Sequence, residues 1–159
     1  MAQRVDRSGH GALVRLKPDL VLPRDLILEI PPRADDPYGL TFRATWDPLS
    51  LRYELTHLEI AKNAAAITSA GLRAIAVQEE FELMAVLDAH FADGQRFSLP
   101  MSPTQVAPGD RVLWAARVYA MSRAVRRPPL QSVADSLGVS QSTATRLVAR
   151  ARSEGLLDG

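Results

Sequence analysis

The stretch Val133-Ala-Asp-Ser-Leu-Gly-Val-Ser140 constrains the fold of this chain more than any other segment of comparable length. Val133 and Leu137 stand four positions apart, so they share one face of a helix. Gly138 ends that helix, because glycine enters the left-handed region without steric cost. Ser140 starts the next one as an N-cap, its hydroxyl placed to accept a hydrogen bond from the amide of Ser142 or Thr143. So short a turn makes the two helices cross steeply, and they need a small residue where they touch. Ala134, four positions before Gly138, is that residue. Val133 and Leu137 before the turn, with Val139, Ala144, Leu147 and Val148 after it, supply the wedge that fixes the crossing angle. The spacing predicts helices over about Leu130–Leu137 and from after Ser140 to about Ser153.

A preceding helix is expected from Arg111, capped by Asp110, to about Arg126. Its buried stripe would be Leu113, Trp114, Val118, Met121 and Val125, with Arg111, Arg117 and Arg123 elsewhere on its surface. Arg126-Arg-Pro-Pro129 stops it. Only Gly155–Gly159 follow the last helix, so no β-wing is expected, and Leu156 and Leu157 should fold back on the helix end.

Burying Ala144, Leu147, Val148 and Ala151 turns the opposite face of the last helix to solvent. Ser140, Gln141, Ser142, Thr145, Arg146 and Ala149 are then candidates for reading base edges in duplex DNA: Gln suits adenine, Arg suits guanine, and Ser or Thr suit several partners. Arg126, Arg127, Arg150 and Arg152 are candidates for phosphate contacts, which position a protein without specifying sequence. The free amides at the helix start carry partial positive charge that also suits a phosphate. The charge distribution agrees. Residues 1–109 carry 11 Lys and Arg against 14 Asp and Glu, a net of −3, whereas residues 110–159 carry 8 Arg against 4 acids, a net of +4. Only the tail has the sign that meets a phosphate backbone. Arginine abundance by itself says less, since Arg outnumbers Lys 17 to 2 along the whole chain, a bias common to GC-rich genomes.

The front of the chain reads as strands followed by helix. The first dozen residues are polar and glycine-containing and read as a frayed arm. Leu20–Ile30, Leu40–Trp46 and Leu51–Leu58 read as strands of a small antiparallel meander, the last two by strict alternation, with Pro23 making the early half of the first an edge or no strand at all. Ala34–Gly39 and Asp47-Pro48 supply the turns. Thr68 or Ser69 caps a short turn through Ile75, and a longer helix is expected from near Val77 to Phe91, ended by Asp93-Gly94. Ser98–Gly109 follows, with three prolines in its twelve residues, and marks the boundary between the acidic front and the basic tail.

Several classes of function find no support. The chain is 47% hydrophobic and 23% charged, a globular composition. No apolar run is long enough to span a bilayer, and no apolar core follows the first charges as in a signal peptide. Cysteine is absent, which excludes disulfides and thiolate metal sites and fits a reducing cytoplasm. Glu79, Glu80 and Glu82 read as a solvated helix face. Asp88, His90 and His57 lack ligand spacing, and His10 lies in the arm. Neither a Gly-x-Ser-x-Gly nucleophile context nor a phosphate-cradling glycine loop is present. Trp46 and Trp114 read as core. No catalytic residue, metal or cofactor is expected.

Pro129, Val133-Ala134, Leu137-Gly-Val-Ser140, Ser142-Thr-Ala144, Arg146-Leu-Val148 and Ala151-Arg-Ser-Glu-Gly-Leu-Leu157 together resemble the tail of a family of small actinobacterial helix-turn-helix proteins, often associated with mobile elements. The likeness covers roughly 110–157, with a weaker echo in Ile67–Ile75, where the family often carries proline at the position of Ala76. The resemblance implies DNA binding. One departure is Leu130, where a hydroxyl residue usually follows the proline. Its loss removes a cap worth about 1 kcal/mol.

The expectation is therefore an α+β fold: an antiparallel meander with helix over 1–97, a proline-rich linker over 98–109, and a tri-helical helix-turn-helix module without wing over 110–159. Its expected function is sequence-specific, non-enzymatic transcription regulation on double-stranded DNA, as a homodimer, in the cytoplasm at the nucleoid. The front domain would pair protomers or bind a protein partner. The alternative is an adaptor or accessory protein of a larger DNA-associated complex.

Overall fold

The computed structural model of the 159-residue chain describes residues 5–6, 11–32, 38–62, 68–69, 82, 85–86, 88–100 and 102–158. The fold is α+β. Strands β1 (Val5–Asp6), β4 (Asp25–Ile30), β5 (Tyr38–Asp47) and β6 (Arg52–Lys62) form an antiparallel sheet in the order β1-β4-β5-β6. Strands β2 (Leu13–Leu16), β3 (Leu20–Pro23) and β7 (His90–Phe91) form a second, in the order β2-β3-β7. Three helices follow: α1 (Arg111–Ala124), α2 (Pro129–Leu137) and α3 (Gln141–Ser153).

Alternation explains the meander. Leu26, Leu28 and Ile30 of β4 stand opposite Ala44, Phe42 and Leu40 of β5, and residues directly opposite share a face. All but the partly covered Ile30 are buried. β6 departs from strict alternation. Arg43 faces His57 while Ala44 faces Leu55, so Thr56 is an extra residue. This bulge resets the phase, and Leu58 and Ile60 stay on the same side as Phe42 and Leu40 instead of turning to the other face.

Three expectations for the front need correction. Leu20–Ile30 is not one strand: it breaks at Arg24 and passes from one sheet to the other. The Arg24 amide donates to the Ala12 carbonyl and its carbonyl accepts from the Trp46 amide, both at 2.8 Å. Pro23 ends β3 opposite Leu13, where β7 no longer runs alongside. The first dozen residues are not wholly a frayed arm, because Val5 and Asp6 pair with Glu29 and Leu28. The helix expected to reach Phe91 stops earlier. Glu82, Ala85 and Val86 are helical, but Asp88 is a turn and His90–Phe91 is β7, paired with Val21 and Leu20. Asp93-Gly94 therefore closes a turn between extended segments: Gly94 has φ 86°, the Phe91 amide donates to Gln95 O at 2.7 Å, and His90 bridges Arg96. Most of that helix, and the turn expected through Ile75 beyond Thr68 and Ser69, lie outside the described residues.

The helix ends follow one pattern. After α2, Gly138 (φ 60°) donates to Asp135 O at 3.4 Å and Val139 donates to Ala134 O at 3.0 Å. After α3, Gly155 (φ 73°) donates to Arg152 O at 3.0 Å and Leu156 to Ala151 O at 2.9 Å. Both are Schellman caps, and both throw an apolar residue back onto the helix. Leu157 is buried, with Leu156 partly so, as the sequence predicts. α1 ends in the same way with Arg126 in the left-handed position (φ 63°), which stops it at Ala124 rather than Arg126. Asp110 makes no side-chain cap, since it belongs to a 3-10 turn, Pro108–Asp110, that leads into α1. α2 starts at Pro129, one residue ahead of expectation, where proline's missing N–H costs nothing.

Two apolar clusters meet on α1. Met121 and Ala124, with Val125 just beyond, join the sheet residues, whereas Ala115, Ala116 and Val118 join α2 and α3. Leu113 and Trp114 of the expected stripe are only half-buried, because a helix covered on two sides buries its alanines most completely. Arg117 is not a free surface residue. Its guanidinium forks onto Asp19 at 3.0 and 2.5 Å and lies 4.5 Å from the Phe91 ring centroid and 4.9 Å from that of Trp114.

Candidate nucleic-acid interface

Gly138 and Ser140 set the direction of α3. Gly138 supplies the left-handed turn, and Ser140, extended at φ −66° and ψ 154°, accepts from the Thr143 amide at 3.3 Å. Ala134 is 6% exposed in the cluster that α2 shares with α3. The small residue, the glycine and the cap thus stand where the spacing requires them. From there the 3.6-residue period divides the helix. Ala144, Val148 and Ala151 are buried and Leu147 is half-buried.

The other side is solvent-exposed and contains every base-reading candidate: Ser140, Gln141, Ser142, Thr145, Arg146 and Ala149. Within it, Thr145 Oγ1 donates to Gln141 O at 2.9 Å, and Arg146 Nη2 donates to Thr143 Oγ1 at 3.2 Å. The second contact inclines the guanidinium toward the helix start. The Ser140 hydroxyl lies 3.1 Å from that of Ser142 and 3.0 Å from that of Thr143.

The phosphate candidates divide into two pairs. Arg150 and Arg152 flank the exposed face of α3. Arg150 Nε is 2.7 Å from Glu154, an exposed i,i+4 pair, and Arg152 donates to the Tyr119 hydroxyl at 2.9 Å with its guanidinium over that ring. Arg126 and Arg127 lie at the α1–α2 turn and reach back to the front of the chain. Arg126 pairs with Glu54 and donates from Nε to Tyr53 O at 3.2 Å, and Arg127 pairs with Glu82. The Arg126–Glu54 pair is exposed on both sides and holds at most about 1 kcal/mol, so a phosphate can compete for Arg126. Releasing Arg127, by contrast, would leave the buried Glu82 carboxylate in need of another cation.

Glu82 corrects the reading of a solvated acidic face. It is 8% exposed and engaged by Arg127, while Glu79 and Glu80 lie outside the described residues. No sequence signal ties Glu82 to Arg127, since the contact depends on how the front packs against the α1–α2 turn. Glu54 was equally hidden as the partner of Arg126.

Among the described residues, no group of His, Cys, Asp and Glu is arranged to hold a metal ion, and no helix is long and apolar enough to cross a membrane. No known protein family matches the chain, and neither does any curated protein or solved structure.

Proposed function

We propose that the chain is a sequence-specific regulator of transcription that binds double-stranded DNA through a helix-turn-helix formed by α2 and α3. The observation that carries this reading is the division of α3: one face is sealed by Ala144, Val148 and Ala151, and the other presents Gln141, Ser142, Thr145, Arg146 and Ala149 to solvent. Laid in the major groove, the exposed face meets base edges with side chains suited to them. Arg150 and Arg152 beside it are placed for phosphates, as are Arg126 and Arg127 once released from Glu54 and Glu82. One such module makes few contacts. A homodimer doubles them, over half-sites about 34–36 Å apart.

Selection from a pool of randomised duplexes tests the reading, with the full-length chain and its Arg146→Ala variant run side by side. The expected result is a two-fold symmetric motif, relaxed by the substitution at one base position, the variant losing about 1–3 kcal/mol of discrimination there. Binding should also weaken steeply with salt, the slope of log K against log[salt] being about −0.9 per phosphate contact.

A second reading, an accessory protein in a larger DNA-associated complex, is favoured by β6. It is the edge strand of its sheet, and Leu55 and Leu58 on it are 49% and 42% exposed, a surface suited to another protein. Duplex binding with no enriched motif, together with a stable heteromeric complex, would put this reading first.

A further inference from the structure

A cavity of about 450 Å³ lies where Glu82 and Val86 meet α1 and α2. That volume is within the range of small-molecule sites, which join an apolar lining to a few converging polar groups. Here the apolar part comes from both clusters, including Val86, Val118 and Met121. The polar part is concentrated. Glu82 and Ser122 are the buried polar side chains among the described residues, at 8% and 6% exposure, and both line this cavity. Ser132, Asp135 and Ser136 add two hydroxyls and a carboxylate from α2, and Arg127 completes the wall.

The charges select the ligand. Among the described residues the lining holds two carboxylates and one guanidinium, and that guanidinium is engaged by Glu82. An anion entering here would add a third negative charge against one cation. A cation would meet a surplus carboxylate and three hydroxyls, and desolvation by the apolar walls would strengthen the pairing. Arg127 has a ready way out: its side chain is 52% exposed, whereas that of Glu82 is only 11% exposed.

We infer that this cavity binds a small molecule with an apolar body and a cationic amino or amidino group, which takes Glu82 in exchange for Arg127. The site stands on its own geometry. Its bearing on DNA rests on the function proposed above: Arg127, released at the α1–α2 turn, gains a free guanidinium for phosphate, so the ligand would act as a co-factor of binding. Its connection to the reading helix is short, since Ser132, Asp135 and Ser136 belong to α2, which packs on α3.

The test is a titration of the full-length, isotope-labelled chain followed by NMR, with 2-phenylethylamine as probe. Its neutral analogue 2-phenylethanol and the anion 3-phenylpropanoate serve as comparisons. The amine is expected to shift the amides of Ser122, Arg127, Ser132 and Ser136 and to move the Arg127 Nε–H resonance away from its carboxylate-paired position. The alcohol should bind at least about tenfold more weakly, as expected for loss of a hydrogen-bonded charge, and the anion not at all. In Glu82→Gln the amine should fall to the level of the alcohol. The inference is overturned if alcohol and amine bind alike, if the amine leaves these amides or the Arg127 Nε–H unmoved, or if Glu82→Gln binds the amine undiminished. Should that variant not fold, the three probes on the wild-type chain decide. No DNA enters this titration, so failure of the DNA reading shows in duplex selection and failure of the cavity shows here.

Discussion

The two apolar clusters are equally buried but built from opposite materials. Between the sheets the space is filled by Phe42, Tyr53, Trp46 and Phe97 together with leucines. Trp46 and Tyr53 meet edge to face at 5.4 Å, as do Phe91 and Phe97 at 5.6 Å. Among the helices it is filled by Ala115, Ala116, Ala134, Ala144 and Ala151 with valines between them. Sheets stand far from what covers them, about 10 Å away, and only long side chains bridge that gap. Steeply crossing helices approach closely, and only small ones fit. The sheet cluster is therefore vulnerable to truncation and the helical cluster to enlargement.

The largest effect expected from this contrast is that of Phe42→Ala. Phe42 is fully buried at the centre of the sheet cluster, and the substitution should cost about 3–5 kcal/mol in chemical denaturation. A loss below 1 kcal/mol would mean that neighbouring leucines collapse into the space and that the cluster is softer than its packing suggests. The mirror experiment, Ala144→Leu, adds volume to a fully buried position on α3 and should cost about 1–3 kcal/mol. An unchanged stability would break the contrast, since it would show that α2 and α3 part readily.

A smaller effect sharpens it. The sheet cluster contains a polar anchor, Tyr53, 1% exposed, whose hydroxyl donates to the Pro23 carbonyl. Tyr53→Phe leaves that carbonyl without this donor and should cost about 1–2 kcal/mol near neutral pH. Burial, and then the nearby Asp88 and Asp25 charges, push the hydroxyl of Tyr53 far above its ordinary value. The folded state thus keeps the proton that the unfolded chain gives up near pH ~10. The stability this contributes is fully present below that pH and is lost as pH rises beyond it. The advantage of the wild type over Tyr53→Phe should therefore shrink above about pH 10. An advantage that stayed constant to pH 11 would show the hydroxyl open to solvent.

The helical part was legible because its determinants are local. Gly138 and Ser140 act within a few residues of themselves, and the period of Ala144, Val148 and Ala151 names the opposite face at once. The sheets were legible only as far as alternation reaches. It located β4, β5 and β6 but not the crossing at Arg24, which rests on backbone hydrogen bonds to Ala12 and Trp46, nor the bulge at Thr56. His90 and Phe91 followed a helical pattern and became a strand because β3 offered them a partner. At the interface the exposed face of α3 was visible in the sequence, but the partners of Arg126 and Arg127 were not. Arg117 and Asp19 make the same point, as an ion pair between residues 98 positions apart. Side chains that meet across such distances leave no periodic trace.

Helix α1 leaves this molecule without a clean seam. A fragment beginning at Asp110 would hold α2 and α3 but leave Met121, Ala124 and Val125 bare to water, and Arg117 would lose its carboxylate. Such a fragment should be stickier and looser than the whole chain, which buries those side chains. The exposed face of α3 is carried on a beam whose other end is built into a wall. Its aim is fixed by the sheets, although no strand lies next to it in sequence.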